Sequence, residues 1–150
     1  IIINEIEDRQ RRTPNVIVYN LPEIQTNSES DSIDVNREKE RQELLKFLSK
    51  TQVALNANNI KCYRLGKRSD GKHRPLKVIF PSQDIANAIV SGYKLENNIF
   101  INRDLTPLQR NQAYKIRKEF AQRKKNGETD IKFINRAAVP KIVSFNRKNI

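Results

Sequence analysis

Residues 15–21 read Asn-Val-Ile-Val-Tyr-Asn-Leu, and this run decides how the rest of the chain is parsed. Val16, Ile17, Val18 and Tyr19 are β-branched or aromatic, side chains that fit a pleated, half-buried surface, and Pro22 ends the run. It is the first strand of a sheet. Period-2 alternation sends Val16 and Val18 to one face, toward helices, and Ile17 and Tyr19 to the other. Just upstream, Pro14 stops any helix and biases Thr13 toward an extended conformation. Residues 1–12 are too short to fold alone. Ile3 and Ile6 sit three apart, ahead of basic Arg9, Arg11 and Arg12. That pattern suits a frayed helical end or the last heptad of a coiled coil, and these residues by themselves favour the frayed end.

Downstream, residues 24–34 are rich in Ser, Asn and acids and read as a loop. A helix follows from about Asn36 to Lys50, with Leu44, Leu45 and Leu48 as its apolar stripe. After a turn at 56–59, residues 60–65 alternate as a second strand. The basic loop Gly66 to Arg74 holds a turn at Asp70-Gly71, and 76–80 form a third strand. Ser82 is placed as the N-cap of a helix reaching about Tyr93, which sets Ile85, Ile89 and Tyr93 on one face. Asn97-Asn98 turns into a fourth strand, Ile99 to Ile101. The order is β-α-β-β-α-β, so the expected fold class is α+β, a ferredoxin-like split βαβ domain over 13–102. Its sheet has one face covered by helices and one open, and in RNA-recognition motifs the open face is the binding surface.

A second unit is expected over 103–150. Thr106 is an N-cap and Pro107 the first helical residue, and the helix should run to about Asn126 and stop at Gly127. Ala113, Ile116 and Phe120 form its apolar side. Residues 131–134 and 142–145 read as a hairpin. A helix plus a hairpin makes a small, partial domain.

Composition narrows the function. The 150 residues carry 29 Lys+Arg against 17 Asp+Glu, a formal net charge of +12, with a pI near 10.0. Such a chain associates with polyanions whether or not it reads their sequence. No run approaches the ~20 apolar residues of a membrane span, so no membrane partner is expected. One cysteine, Cys62, excludes a disulfide framework and reads as a core thiol. The single histidine, His73, sits in the basic loop with no orienting partner or nucleophile beside it. There is no phosphate-binding GxxxxGK[ST] loop, no GxGxxG and no HExxH. The chain is therefore read as not an enzyme, with no cofactor and no metal.

The cations group by position. Arg11 and Arg12 precede strand one. Lys67, Arg68, Lys72 and Arg74 lie in the loop between strands two and three. Lys77 lies on strand three, Arg103 at the junction of the units, and Arg110, Arg117 and Lys118 on the following helix. Together with Tyr19 on the open face they are the candidate nucleic-acid-binding residues, bordering one groove between the units. Strand three, with Pro75, Lys77 and Ile79 on the open face, lacks the two aromatics usual there, so phosphate contacts are expected to carry affinity without sequence choice. The alternative is a protein-interaction module on a ferredoxin-like fold, in which charge serves only solubility.

The series RRTPNVIVYNLPE (11–23), YRLGK (63–67), RPLKVIF (74–80), INRDLTPLQR (101–110) and IRKEF (116–120) resembles first-open-reading-frame proteins of LINE-type (non-LTR) retrotransposons. The resemblance implies a coiled coil, an RNA-recognition motif lacking the usual aromatics, and a small C-terminal domain. It implies sequence-tolerant binding of single-stranded RNA and DNA, chaperone activity, a homotrimer through an N-terminal coiled coil, and a cytoplasmic or nuclear ribonucleoprotein. Arg74 matches the family's arginine four residues before the valine of strand three, and Arg117 an arginine of the C-terminal helix, about one turn later than usual. Asp104 and Thr106 match the Asp-Leu-Ser/Thr helix start. The sequence does not start with Met and reads as an internal fragment, and against the family's pattern it carries little of the coiled coil and stops before the last helices of the C-terminal domain.

Overall fold

In the computed structural model the described residues are 2–24, 33–69, 71–135 and 138–145. Most of the expected 24–34 loop, and Asp70 of the expected Asp70-Gly71 turn, lie outside them. The chain divides into two compact units, one of Gln10–Asp104 and one of Ile1–Arg9 with Leu105–Ile150. The fold class is mixed α+β.

The first unit holds β1 (Asn15–Tyr19), α2 (Ile33–Leu48), β2 (Lys61–Arg64), β3 (Leu76–Ile79), α3 (Gln83–Gly92) and β4 (Phe100–Arg103). A helix, α1 (Ile2–Arg12), precedes them. The sheet order is β2-β3-β1-β4, with every neighbouring pair antiparallel. Alternation along β1 does what the sequence predicts for its valines. Val16 and Val18 are fully buried, in one core with Leu44, Phe47 and Leu48 of α2 and Ala86 and Ile89 of α3. Leu76, Val78 and Ile101 extend that core along β3 and β4. Each such aliphatic side chain contributes ~1.5–3 kcal/mol by leaving water.

Local chemistry places the ends. Ser82 caps α3, its hydroxyl accepting the Ile85 N–H at 3.3 Å. Tyr93 closes it: the ring packs 5.4 Å from that of Phe47 and the hydroxyl donates to the Ile99 carbonyl at 2.6 Å. Asn97 and Asn98 both hold positive φ, 52° and 59°. Two successive left-handed residues make the mirror-image turn that matches strand twist, which asparagine tolerates better than most side chains. The turn closes at the Glu96–Ile99 bridge, so β4 starts one residue later than the sequence suggests and runs on to Arg103, held by pairing with Val16. Helix α2 likewise begins at Ile33, ahead of the expected Asn36.

The second unit contains α4 (Pro107–Lys125) and the hairpin of β5 (Ile131–Ile134) and β6 (Lys141–Ser144). Thr106 and Gln109 form a full capping box. The Thr106 hydroxyl accepts the Gln109 N–H at 3.2 Å, and the Gln109 side chain accepts the Thr106 N–H at 3.0 Å. Glu5 adds to this start, accepting from the Thr106 hydroxyl at 2.6 Å and from Arg9 Nε at 2.8 Å. Those two bonds, the hydroxyl's first, hold its carboxyl below the usual range. At the other end Gly127, at φ +92°, reverses the chain as the sequence predicts. Phe120 and Phe133, with ring centroids 5.4 Å apart, join helix to hairpin.

Candidate nucleic-acid interface

The strand register lays out the sheet face that points away from Val16 and Val18. One row runs Tyr63, Lys77, Ile17, Asn102 across the four strands. Beside it Tyr19 stands directly opposite Phe100. On the other side Lys61, Ile79 and Asn15 align. Tyr63 is 44% exposed and Phe100 43%. Strand three carries no aromatic on this face, as its sequence predicts, but β2 and β4 each bring one to join Tyr19. The sequence reading missed Tyr63, Phe100 and Lys61, because a residue's face on β2 or β4 follows only from which strand it pairs with.

Lys77 dominates the middle of the face. Its Nζ lies 3.4 Å from Asp104 Oδ2, beyond the end of β4, and 5.9 Å from the centre of the Tyr63 ring. Lys77 stands directly opposite Ile17 of β1, which is only 7% exposed although it belongs to the face not covered by helices. Asp104 is itself buried and gathers three donors: Lys77, Arg12 Nη1 at 3.1 Å and Asn15 Nδ2 at 3.1 Å.

A second ionic cluster ties the start of the β1–α2 connection to the β2–β3 loop. Glu23 accepts from the Arg74 backbone N–H at 2.8 Å, from its Nε at 3.0 Å and from its Nη2 at 3.2 Å, while Arg74 Nη1 donates to the Gly66 carbonyl at 3.1 Å. These bonds, led by those to the Arg74 side chain, pull the Glu23 carboxyl down to about 2. Arg68 lies at the margin, 4.0 Å from the same carboxylate. The Glu23 backbone N–H donates to His73 Nδ1 at 3.0 Å, a further link between the two segments. Arg64, its side chain 5% exposed, pairs with Glu40 and donates to the carbonyls of Leu21, Pro22 and Arg74.

The candidate residues thus separate. Tyr19 and Lys77 share the open face, and Arg12 joins Lys77 at Asp104. Arg74 has its guanidinium taken up by Glu23 and Gly66. Lys67 and Lys72 are exposed in the same loop, and Arg11 is exposed before β1. Arg103 pairs with Val16, so it extends from the opposite, helix-covered side of the sheet and is half-buried. Arg110, Arg117 and Lys118 are exposed on α4, in the other unit.

Cys62 is half-buried, and burial pushes its thiol up to about 11, which keeps it protonated and unreactive. Among the described residues no group of three or more His, Cys, Asp or Glu is placed to hold a metal, and no helix is long and apolar enough to cross a membrane. No family model matches the chain, and no curated protein does.

Proposed function

We propose that the chain binds single-stranded RNA or DNA with little sequence preference and acts as a nucleic-acid chaperone in the ribonucleoprotein of a LINE-type retrotransposon. The observation that carries the binding is how the cations divide. Arg12, Arg64, Arg74 and Arg123 are committed to the carboxylates of Asp104, Glu40, Glu23 and Glu128. The surplus stays in water: Lys67 and Lys72 in the β2–β3 loop, and Arg110, Lys115, Arg117, Lys118, Lys124 and Lys125 along α4. Cations on a regular surface, clear of carboxylates among the described residues, suit a polyanion, whose phosphates release counterions on contact.

Two further features support the reading. The strand order β2-β3-β1-β4, with α2 and α3 both packed on the Val16–Val18 side, fits a ferredoxin-like split βαβ domain of the RNA-recognition type. Ile3 and Ile6 of α1, 71% and 50% exposed, fit the last turn of a coiled coil that would join three copies.

The test is fluorescence anisotropy of a labelled oligonucleotide across a salt series. Each phosphate neutralised in a single strand adds ~0.7 to the log–log slope, so a steep slope, similar for unrelated sequences, is expected. A flat slope, or no binding at about 50 mM salt, defeats the proposal.

A further inference from the structure

We propose that the open sheet face of the Gln10–Asp104 unit holds two base-stacking subsites, one on Tyr63 and one on the Tyr19–Phe100 pair, with Lys77 between them. A single strand would cross the sheet diagonally from one to the other. This rests on the reading of the chain as a single-stranded nucleic-acid binder, and adds that it grips bases as well as phosphates.

The register carries the argument. Tyr63 stands on edge strand β2 and Phe100 on edge strand β4, at opposite edges of one face and one row apart. Both residues are more than two-fifths exposed. Between them the face is not apolar, since Lys61, Lys77 and Asn102 interleave with the rings. An apolar partner would desolvate those polar heads without replacing their bonds, and an acidic peptide would leave the rings unused. A nucleic acid brings flat π-faces and negative charge in alternation, and fits both. Lys77, held by Asp104 at 3.4 Å, lies 5.9 Å from the Tyr63 ring centre, and Lys61, exposed in the neighbouring row of the same face, is the cation placed for a phosphate beside a base stacked there.

The spacing sets a footprint. Three strand separations of ~4.8 Å and one two-residue step of ~6.8 Å put the Tyr63 and Phe100 positions about 16 Å apart. A stacked strand advances ~3.4 Å per nucleotide, so about five steps bridge them, and fewer when the strand is drawn out. Ile17, buried in the middle, offers no ring, so intervening bases go unread. Both subsites accept any base, since every base has a π-face, and sequence tolerance is preserved.

The chain has no Trp, so tyrosine fluorescence reports directly on stacking. The probes are a thymidine octanucleotide and an abasic octanucleotide of equal charge. The intact chain should bind the octanucleotide about tenfold or more tightly than the abasic strand, with tyrosine quenching. Tyr63→Ala and Phe100→Ala should each lower that preference severalfold and together remove most of it, while Tyr63→Phe keeps it. None of the three should change the abasic affinity or its salt slope. Thermal melts of the variants should match the parent, because both rings are exposed. Equal binding of both strands, or a preference that survives both alanine variants, overturns the stacking proposal and leaves the phosphate reading standing. Failure of both strands to bind at about 50 mM salt overturns the phosphate reading as well. Self-association abolished by Tyr63→Ala would assign the face to a second copy and also overturn it.

Discussion

Glu23 and Arg74 stand 51 positions apart in sequence and close on each other through the backbone N–H, Nε and Nη2 of the arginine. The carboxylate is 8% exposed, and its partner's remaining nitrogen reaches a carbonyl of the same loop. Arg74, the residue best placed by resemblance to hold a phosphate, is thereby a structural cross-brace. That distinction generates the first two predictions.

Glu23→Gln should lower stability by ~2 kcal/mol at pH 7, the scale of hydrogen bonds to a charged group. The sign with pH follows from the depressed carboxyl. Its stabilisation is fully present above the ordinary value of 4.5 and disappears as pH falls toward about 2. Urea unfolding of both proteins should show a gap at pH 7 that narrows below pH 4.5 and closes near 2. A gap of constant size would mean that the carboxylate's charge contributes nothing.

Lysines and Arg74 should separate in binding. Lys67→Ala with Lys72→Ala should reduce the log–log salt slope by up to ~0.7 for each phosphate no longer neutralised, with the melting temperature unchanged. Arg74→Ala should lower the melting temperature and alter the slope less. Anisotropy and thermal melts on the same samples distinguish the two; equal reductions in slope would return Arg74 to the binding surface.

At Thr106 both halves of the capping box, and a hydroxyl bond to Glu5, depend on one side chain. Thr106→Ala should cost ~1–2 kcal/mol, while Thr106→Ser should recover most of it. Chemical denaturation followed by circular dichroism measures both. A serine variant as weak as the alanine would place the effect in the methyl group's packing instead, since Thr106 is fully buried.

The Asn97–Asn98 turn predicts a stereochemical pattern. Asn98→Gly should be neutral or stabilising, because φ of 59° costs glycine nothing, and Asn98→Val should destabilise by ~1–2 kcal/mol. Urea midpoints for the pair of variants decide it.

Features written in a few consecutive residues were legible in the sequence. Ser82, Thr106 with Pro107, Gly127 and the asparagine pair mark their positions by local chemistry, and the valines of β1 mark theirs by alternation. Features that need two distant segments were not. Tyr63 and Phe100 share a face only because β2 pairs with β3 and β4 with β1, and alternation within either short strand does not say which side is which. Glu23, Asp104 and Glu40 likewise look like scattered acids until folding delivers Arg74, Lys77 and Arg64 to them. A count of charges therefore does not tell Arg74, held by Glu23, from Lys67 and Lys72, which stay exposed in the same loop.

The left-handed turn at Asn97 and Asn98 has a bearing on the aromatic corner it adjoins. Asn20, itself at φ 67°, follows Tyr19 and donates through Nδ2 to the Asn98 carbonyl at 2.8 Å, while Phe100 lies two residues past that carbonyl. Both residues of the corner thus hang from backbone whose shape is settled before any ligand arrives. A partner stacking there meets a main chain already fixed, and the entropy of ordering that main chain is lost during folding rather than at each encounter.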